Sequence, residues 1–206
     1  MKQIAHYTWS SLVAASLLAS LALASDKKAD PKMEEMMKKM EAAGTPGAAH
    51  KALEPLVGDW NAEVKMWMAP DAPPNVTKAT AKSTFVMNGR FVQEDFKGEF
   101  MGKPFRGMSL VGYDNMKKQY NYVWIDDMST GMFTSEGKAE DGAKVITFEG
   151  TYACPETGQL DKPSKQVYRI VSRDSTSSKC TTPARARTPR QWRSLTRASN
   201  RPRAGG

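Results

Sequence analysis

Few residues in this chain have types and spacing suited to chemistry. Asp126, Asp127, Ser129 and Thr130 stand together. Paired carboxylates beside hydroxyls could move a proton, but in a turn the same side chains cap backbone N–H groups. Arg90 is a candidate partner for the Asp126 carboxylate, and an exposed pair of that kind contributes little. Two histidines, His6 and His50, are too few for a His-rich metal site or a Ser-His-Asp triad. A single imidazole without further ligands reads as structural. Cys154 precedes Pro155 and has no thiol partner nearby. Met33, Met36, Met37 and Met40 recur at i, i+3, i+4 and i+7. Such thioethers could hold Cu(I), but the spacing is first that of an apolar helix stripe. No Gly-rich phosphate loop, C-x-x-C pair or H-E-x-x-H stands in the chain. No metal or cofactor is therefore expected, and binding is favoured over catalysis.

These residues need elements to position them. Residues 33–43 form a helix that Gly44 stops, and 48–56 form a second short helix. From Val57 the pattern becomes β. Residues 61–68 alternate, with Ala62, Val64, Met66 and Met68 on one face. A proline-rich loop over 69–74 follows, then apolar-alternating runs at 78–87, 90–96, 105–113, 119–126, 131–136, 144–152 and 165–172, each bounded by turn residues. Asn88-Gly89 reads as a two-residue type I′ hairpin turn. Eight consecutive strands without helical interruption make an antiparallel meander, and closure into a barrel removes its edges. A closed barrel of about ten strands has room for an interior cavity. Tyr120, Tyr122, Trp124 and Asp126 share one face of their strand; they either fill the core or line that cavity.

The ends of the chain differ from its body. Lys2, an apolar run from Leu12 to Ala24, and Ala22-Leu23-Ala24 before Ser25 make a signal peptide with cleavage near Ala24. The mature protein is expected outside the cytoplasm, in the periplasm or secreted. The net charge is +8, which by itself would suggest nucleic acid. Arg173 to Gly206 hold nine Lys/Arg against Asp174, so this segment carries all of the excess. The apolar alternation also ends there. Two origins fit: a basic disordered tail, or a displaced reading frame. With permissible codons for 175–197, the displaced frame reads HVFEMYDTRAREDAKTMEIAYT, which contains two strand-like runs. Nucleic acid is not expected as a partner, because the only basic excess lies in this segment; a genuine basic tail would bind DNA with steep salt dependence. The apolar run at the N-terminus is too short for a membrane span.

Several of these features together resemble DUF1579, a family of uncharacterised bacterial exported proteins. They are the export signal, the Met-rich helix, and Gly58-x-Trp60, Asn88-Gly89-Arg90-Phe91, Gly112-Tyr113-Asp114, Trp124-Ile125-Asp126 and Ser129-Thr130-Gly131, in that order. The resemblance covers about residues 33–172. It implies that members end in a strand pair like the one in the displaced frame, which favours a frameshift after Asp174. Gly58-x-Trp60 is also similar to the start of lipocalin-like (calycin) barrels. The resemblance thus implies an all-β, antiparallel lipocalin-like barrel of eight strands, or about ten with the frame restored, and assigns no activity.

The expected organisation is a signal peptide over 1–24, a linker and N-terminal helices over 25–56, a barrel over 57–172 and a basic disordered tail over 173–206. The expected function is binding of a small apolar or amphipathic ligand in the barrel. Candidate cavity residues are Trp60, Arg90, Phe91, Tyr113, Tyr120, Trp124 and Asp126. The alternatives are a hydrolase or isomerase using Asp126, and a partner-binding module using the Met-rich helix. Nothing in the residues sets the oligomeric state.

Overall fold

The computed structural model describes residues 30–69, 71–181 and 190–198. The signal peptide expected over 1–24 lies outside the described residues. Helix α1 (Pro31–Gly44) carries Met33, Met36, Met37 and Met40, all exposed, with Lys38–Glu34 and Lys39–Glu35 ion pairs one turn apart. It belongs to a compact unit of its own; the barrel unit begins at Ala43. No helix among the described residues is long and apolar enough to cross a membrane.

Ten strands form the barrel unit: β1 (Gly58–Trp67), β2 (Asn75–Val86), β3 (Phe91–Phe100), β4 (Lys103–Asp114), β5 (Gln119–Asp126), β6 (Phe133–Glu140), β7 (Val145–Cys154), β8 (Gln159–Ser172), β9 (Ser175–Thr181) and β10 (Arg190–Arg197). Each pairs antiparallel with the next, and β10 pairs with β1, so the sheet closes on itself. Buried residues alternate along each strand and point inward: Trp60, Ala62 and Val64 on β1, Tyr120 and Tyr122 on β5, Ile146 and Phe148 on β7. Two turns depart from simple expectation. Val86 pairs with Phe91, so Asn88-Gly89 sits in a four-residue turn, with positive φ at Met87, Asn88 and Gly89. A two-residue hairpin of type I′ sign forms instead at Met101-Gly102, where both φ values are positive.

The segment expected as a disordered tail supplies β9 and β10, so the chain as it stands makes ten strands. Their positions carry Thr176, Ser178 and Cys180 inward, with Arg193 and Leu195. Apolar side chains are not needed for the ladder itself. Without these strands β8 and β1 would each present a row of unpaired N–H and C=O groups, and pairing both edges satisfies them.

A short helix, α2 (Ala48–Lys51), and a 3₁₀ turn (Glu54–Leu56) lie before β1 and plug one end of the barrel. Leu53 is fully buried in a cluster with Val92, Val111, Tyr120, Tyr122, Ile146, Phe148 and Tyr168. His50 is buried; its Nδ1 accepts the Gly47 N–H at 3.0 Å, and its ring meets Tyr113 edge-on. That contact explains the lone histidine: it folds the loop onto the barrel end.

Candidate functional site

The aromatic residues singled out by sequence divide between two ends of the barrel. Tyr113 and Tyr120 meet at 4.9 Å beneath the plug, and the Tyr120 hydroxyl donates to the Ala49 carbonyl at 3.1 Å. Trp60 starts β1 with its indole N–H donating to the Leu56 carbonyl at 2.9 Å. The Arg197 guanidinium of β10 covers its ring at 4.7 Å. Gly58 makes this possible: its φ is +145°, and a Cβ there would overlap that guanidinium. The G-x-W pattern is thus a local rule for seating Arg197 against Trp60.

Trp124 touches both core clusters and packs against Phe96 at 6.1 Å and Phe105 at 6.3 Å. Gly107 opposite it has no side chain, and a Cβ would overlap the indole. The Trp124 N–H donates to Asp126 Oδ2 at 2.8 Å. Asp126 Oδ1 accepts the N–H groups of Met128 and Ser129, both at 3.0 Å. Both carboxylate oxygens are therefore held as caps and an indole anchor, leaving the acid/base alternative no geometric support. Arg90 donates to the Met87 carbonyl at 3.2 Å within its own turn. It lies at the other end of the barrel: Phe91 pairs with Gly112 and Gly112 with Asn121, five residues along β5 from Asp126. That is about 17 Å at ~3.4 Å per residue, which removes the Arg90–Asp126 pair. Phe91 has the opposite parity to buried Val92 and covers Gly112 on the outer face. Of the seven candidates, then, Trp60, Tyr113, Tyr120, Trp124 and Asp126 face inward, and Arg90 and Phe91 do not.

The interior also holds polar groups that sequence reading passed over. Arg193 Nη1 donates to Glu94 Oε1 at 2.6 Å, with both residues buried. Its Nη2 reaches the Tyr168 hydroxyl at 3.3 Å, and its guanidinium lies 5.4 Å from the Phe96 ring. Burial raises the Tyr122 hydroxyl well above the usual tyrosine value and pushes Tyr168 up to about 12, so both stay neutral donors. Burial works against the Arg193 charge, but Glu94, Tyr168 and Tyr122 together outweigh it and hold the guanidinium protonated. Lys162, Ser164, Gln166 and Tyr168 follow one another at alternate positions on the inner face of β8. Ser135 Oγ and Gln166 Oε1 are buried with no hydrogen-bond partner. Buried polar atoms are nearly always paired, so these two stand apart from the rest of the interior. The signal in sequence was parity: Glu94 lies between Val92 and Phe96 on one face.

At the end of β7, Cys154 is buried, and Lys162 Nζ lies 3.4 Å from its sulfur. Hydrogen bonds from Thr157, and then from Lys162 and the Glu156 N–H, pull its thiol down to about 7. A separate groove of about 780 Å³ runs over the outer face of β1–β5, past Asn61, Thr80, Lys97, Arg106, Met108 and Ile125. Among the described residues, no group of three or more His, Cys, Asp or Glu side chains could hold a metal ion.

Known proteins share this architecture. Rv2717c from M. tuberculosis is similar with a TM-score of 0.53 at 20% identity, covering 75% of this chain and 100% of that one. The S-type phycobiliprotein lyase CPES from Guillardia theta is similar with a TM-score of 0.51 at 10% identity, covering 79% of this chain and 98% of that one. At these identities the likeness establishes the lipocalin-like barrel and nothing finer. No curated protein matches the chain. A family model described as "Protein of unknown function (DUF1579)" matches residues 45–191, reaching past Asp174 through β9 into β10. With well over half its length matched, and with the barrel closed by the strands inside that match, this chain belongs to the DUF1579 family.

Proposed function

We propose that this protein is exported and binds a small amphipathic ligand inside its barrel. The observation that carries the reading is the pair of unpartnered buried atoms, Ser135 Oγ and Gln166 Oε1, in an otherwise packed interior. They sit beside neutral hydroxyl donors, Tyr122 and Tyr168, on one side. Trp124, Phe96 and Phe105 supply an aromatic surface on the other. A few placed polar groups within an apolar enclosure are what a small-molecule site requires. Export rests on the N-terminal n-region, h-region and Ala22-Leu23-Ala24.

Native mass spectrometry of the full chain, purified from the export compartment, tests this reading. The expected result is a bound species of small-molecule mass that denaturation releases. Occupancy should fall about tenfold in Trp124→Ala and in Gln166→Leu, each removing one aromatic or polar contact. A bare chain, or occupancy untouched by both substitutions, overturns the reading.

A further inference from the structure

We infer that Lys162 receives the carboxylate head of that amphipathic ligand, near the end of the barrel away from the helical plug. This rests on the interior-binding reading above and names its ligand class.

Lys162 is 6% exposed and points inward. Lysine is rarely buried without a carboxylate partner, yet among the described residues its ammonium reaches none within ion-pair distance. Its neighbours are Cys154 Sγ at 3.4 Å and the Tyr152 ring at 5.9 Å. Burial opposes its charge, but the thiol and Tyr152 outweigh burial and keep the ammonium protonated. The thiol titrates near neutrality, so it is no permanent counter-ion. A buried cation with a part-time partner is a vacant electrostatic site for an incoming anion.

The surroundings favour an anion with an apolar tail over an inorganic one. Lys162 pairs across the ladder with Tyr152, and Trp124 pairs with Phe133. Phe105 stacks on Trp124, and Phe96 meets both rings. One step further in, Ser135 pairs with Gly150 and Gly150 with Ser164. The unpartnered Ser135 hydroxyl thus lies one row further in and two strands away, on the inner face that the ligand's chain would cross. Cation, hydroxyl and aromatic surface together match a long-chain carboxylate.

The test is titration of the full chain with cis-parinaric acid, a fluorescent polyene carboxylate, and with its methyl ester. The acid should bind about tenfold or more tightly than the ester, the scale of one charge-assisted contact. Lys162→Met should bring the acid to the ester's level and leave the ester unchanged, whereas Lys162→Arg should keep the preference. Bound acid should also slow iodoacetamide alkylation at Cys154, read on its own peptide, more than bound ester does, because the carboxylate takes the ammonium from the sulfur. Equal binding of acid and ester by the native protein overturns this inference and leaves interior binding standing. Failure of both probes to bind overturns the two together. A Lys162→Met protein that is destabilised but keeps its acid preference makes Lys162 structural and also overturns the inference.

Discussion

The two sides of the barrel interior are built on opposite terms. The β1–β5 side presents Trp60, Ala62, Val64, Ala81, Val92, Phe96, Val111, Tyr120 and Tyr122, with Ser83, Glu94 and Ser109 as its buried polar residues. The β8–β10 side presents Lys162, Ser164, Tyr168, Thr176, Ser178 and Arg193, with Leu195 as its buried aliphatic. Both use the same antiparallel ladder, so backbone hydrogen bonding does not distinguish them. The first side is held by removal of apolar surface from water and by close packing. The second is held by polar contacts that each need a specific partner, and a buried polar group that loses its partner costs more than the pair contributes. The lesson is that one closed ladder can be filled on two terms, mainly by apolar packing along β1–β5 and mainly by paired polar groups along β8–β10.

Three experiments test that contrast. The largest effect is expected on the apolar side. Trp60→Ala removes a buried indole, its bond to Leu56 and the seat of Arg197, and should cost about 3–5 kcal/mol in urea unfolding. A loss below about 1 kcal/mol would mean this end of the barrel does not carry the fold.

On the polar side, Arg193→Met strands the buried Glu94 carboxylate and should cost about 3 kcal/mol. The double variant Arg193→Met with Glu94→Leu should recover most of that, since apolar replacement of a buried pair is often neutral or better. A double variant as unstable as the sum of its singles would show no coupling between Glu94 and Arg193, and the contrast between sides would fail.

The smallest effect is pH-dependent. The fold holds the Cys154 thiol at about 7, below the ordinary thiol range, so the folded state favours the thiolate. Its contribution is complete above the ordinary thiol pKa and is lost as pH falls through 7. Thermal melts from about pH 9 down to about pH 6 should therefore decline in the native chain and be flatter in Cys154→Ser. Iodoacetamide labelling at Cys154 should show a midpoint near pH 7; a midpoint in the ordinary thiol range would mean that the Thr157 and Lys162 hydrogen bonds do not hold the thiolate.

Much of the fold was legible because strands announce themselves by period. Residues 119–126 were readable to the residue: Tyr120, Tyr122 and Trp124 alternate, and turn residues bound both ends. The boundaries of β3 and β8 were not, because Gly98, Glu99 and the stretch 159–164 carry no apolar alternation, and the neighbouring strand alone extends them. Residues 175–181 and 190–197 were misassigned to a disordered tail for the same reason. Ser, Thr, Lys and Arg gave no apolar signal, yet the open edges of β8 and β1 recruit them.

The site was less legible than the fold. Trp60, Tyr120 and Trp124 were identifiable as inward aromatics, because alternation assigns residues to one face or the other. Phe91 and Arg90 were drawn in by proximity in sequence, and register puts one on the outer face and the other in its own turn. By itself, then, the amino-acid sequence determined the first eight strands, where the turns between them fall and the aromatic face, all of which depend on residues a few positions apart. The tertiary structure alone decided that Glu94 meets Arg193 across 99 positions. It also decided that Ser135, Lys162 and Gln166 face inward rather than into water. On a strand a lone polar residue reads as solvent-facing, and only closure of the sheet makes one face an interior, where such residues must find partners or wait for a ligand.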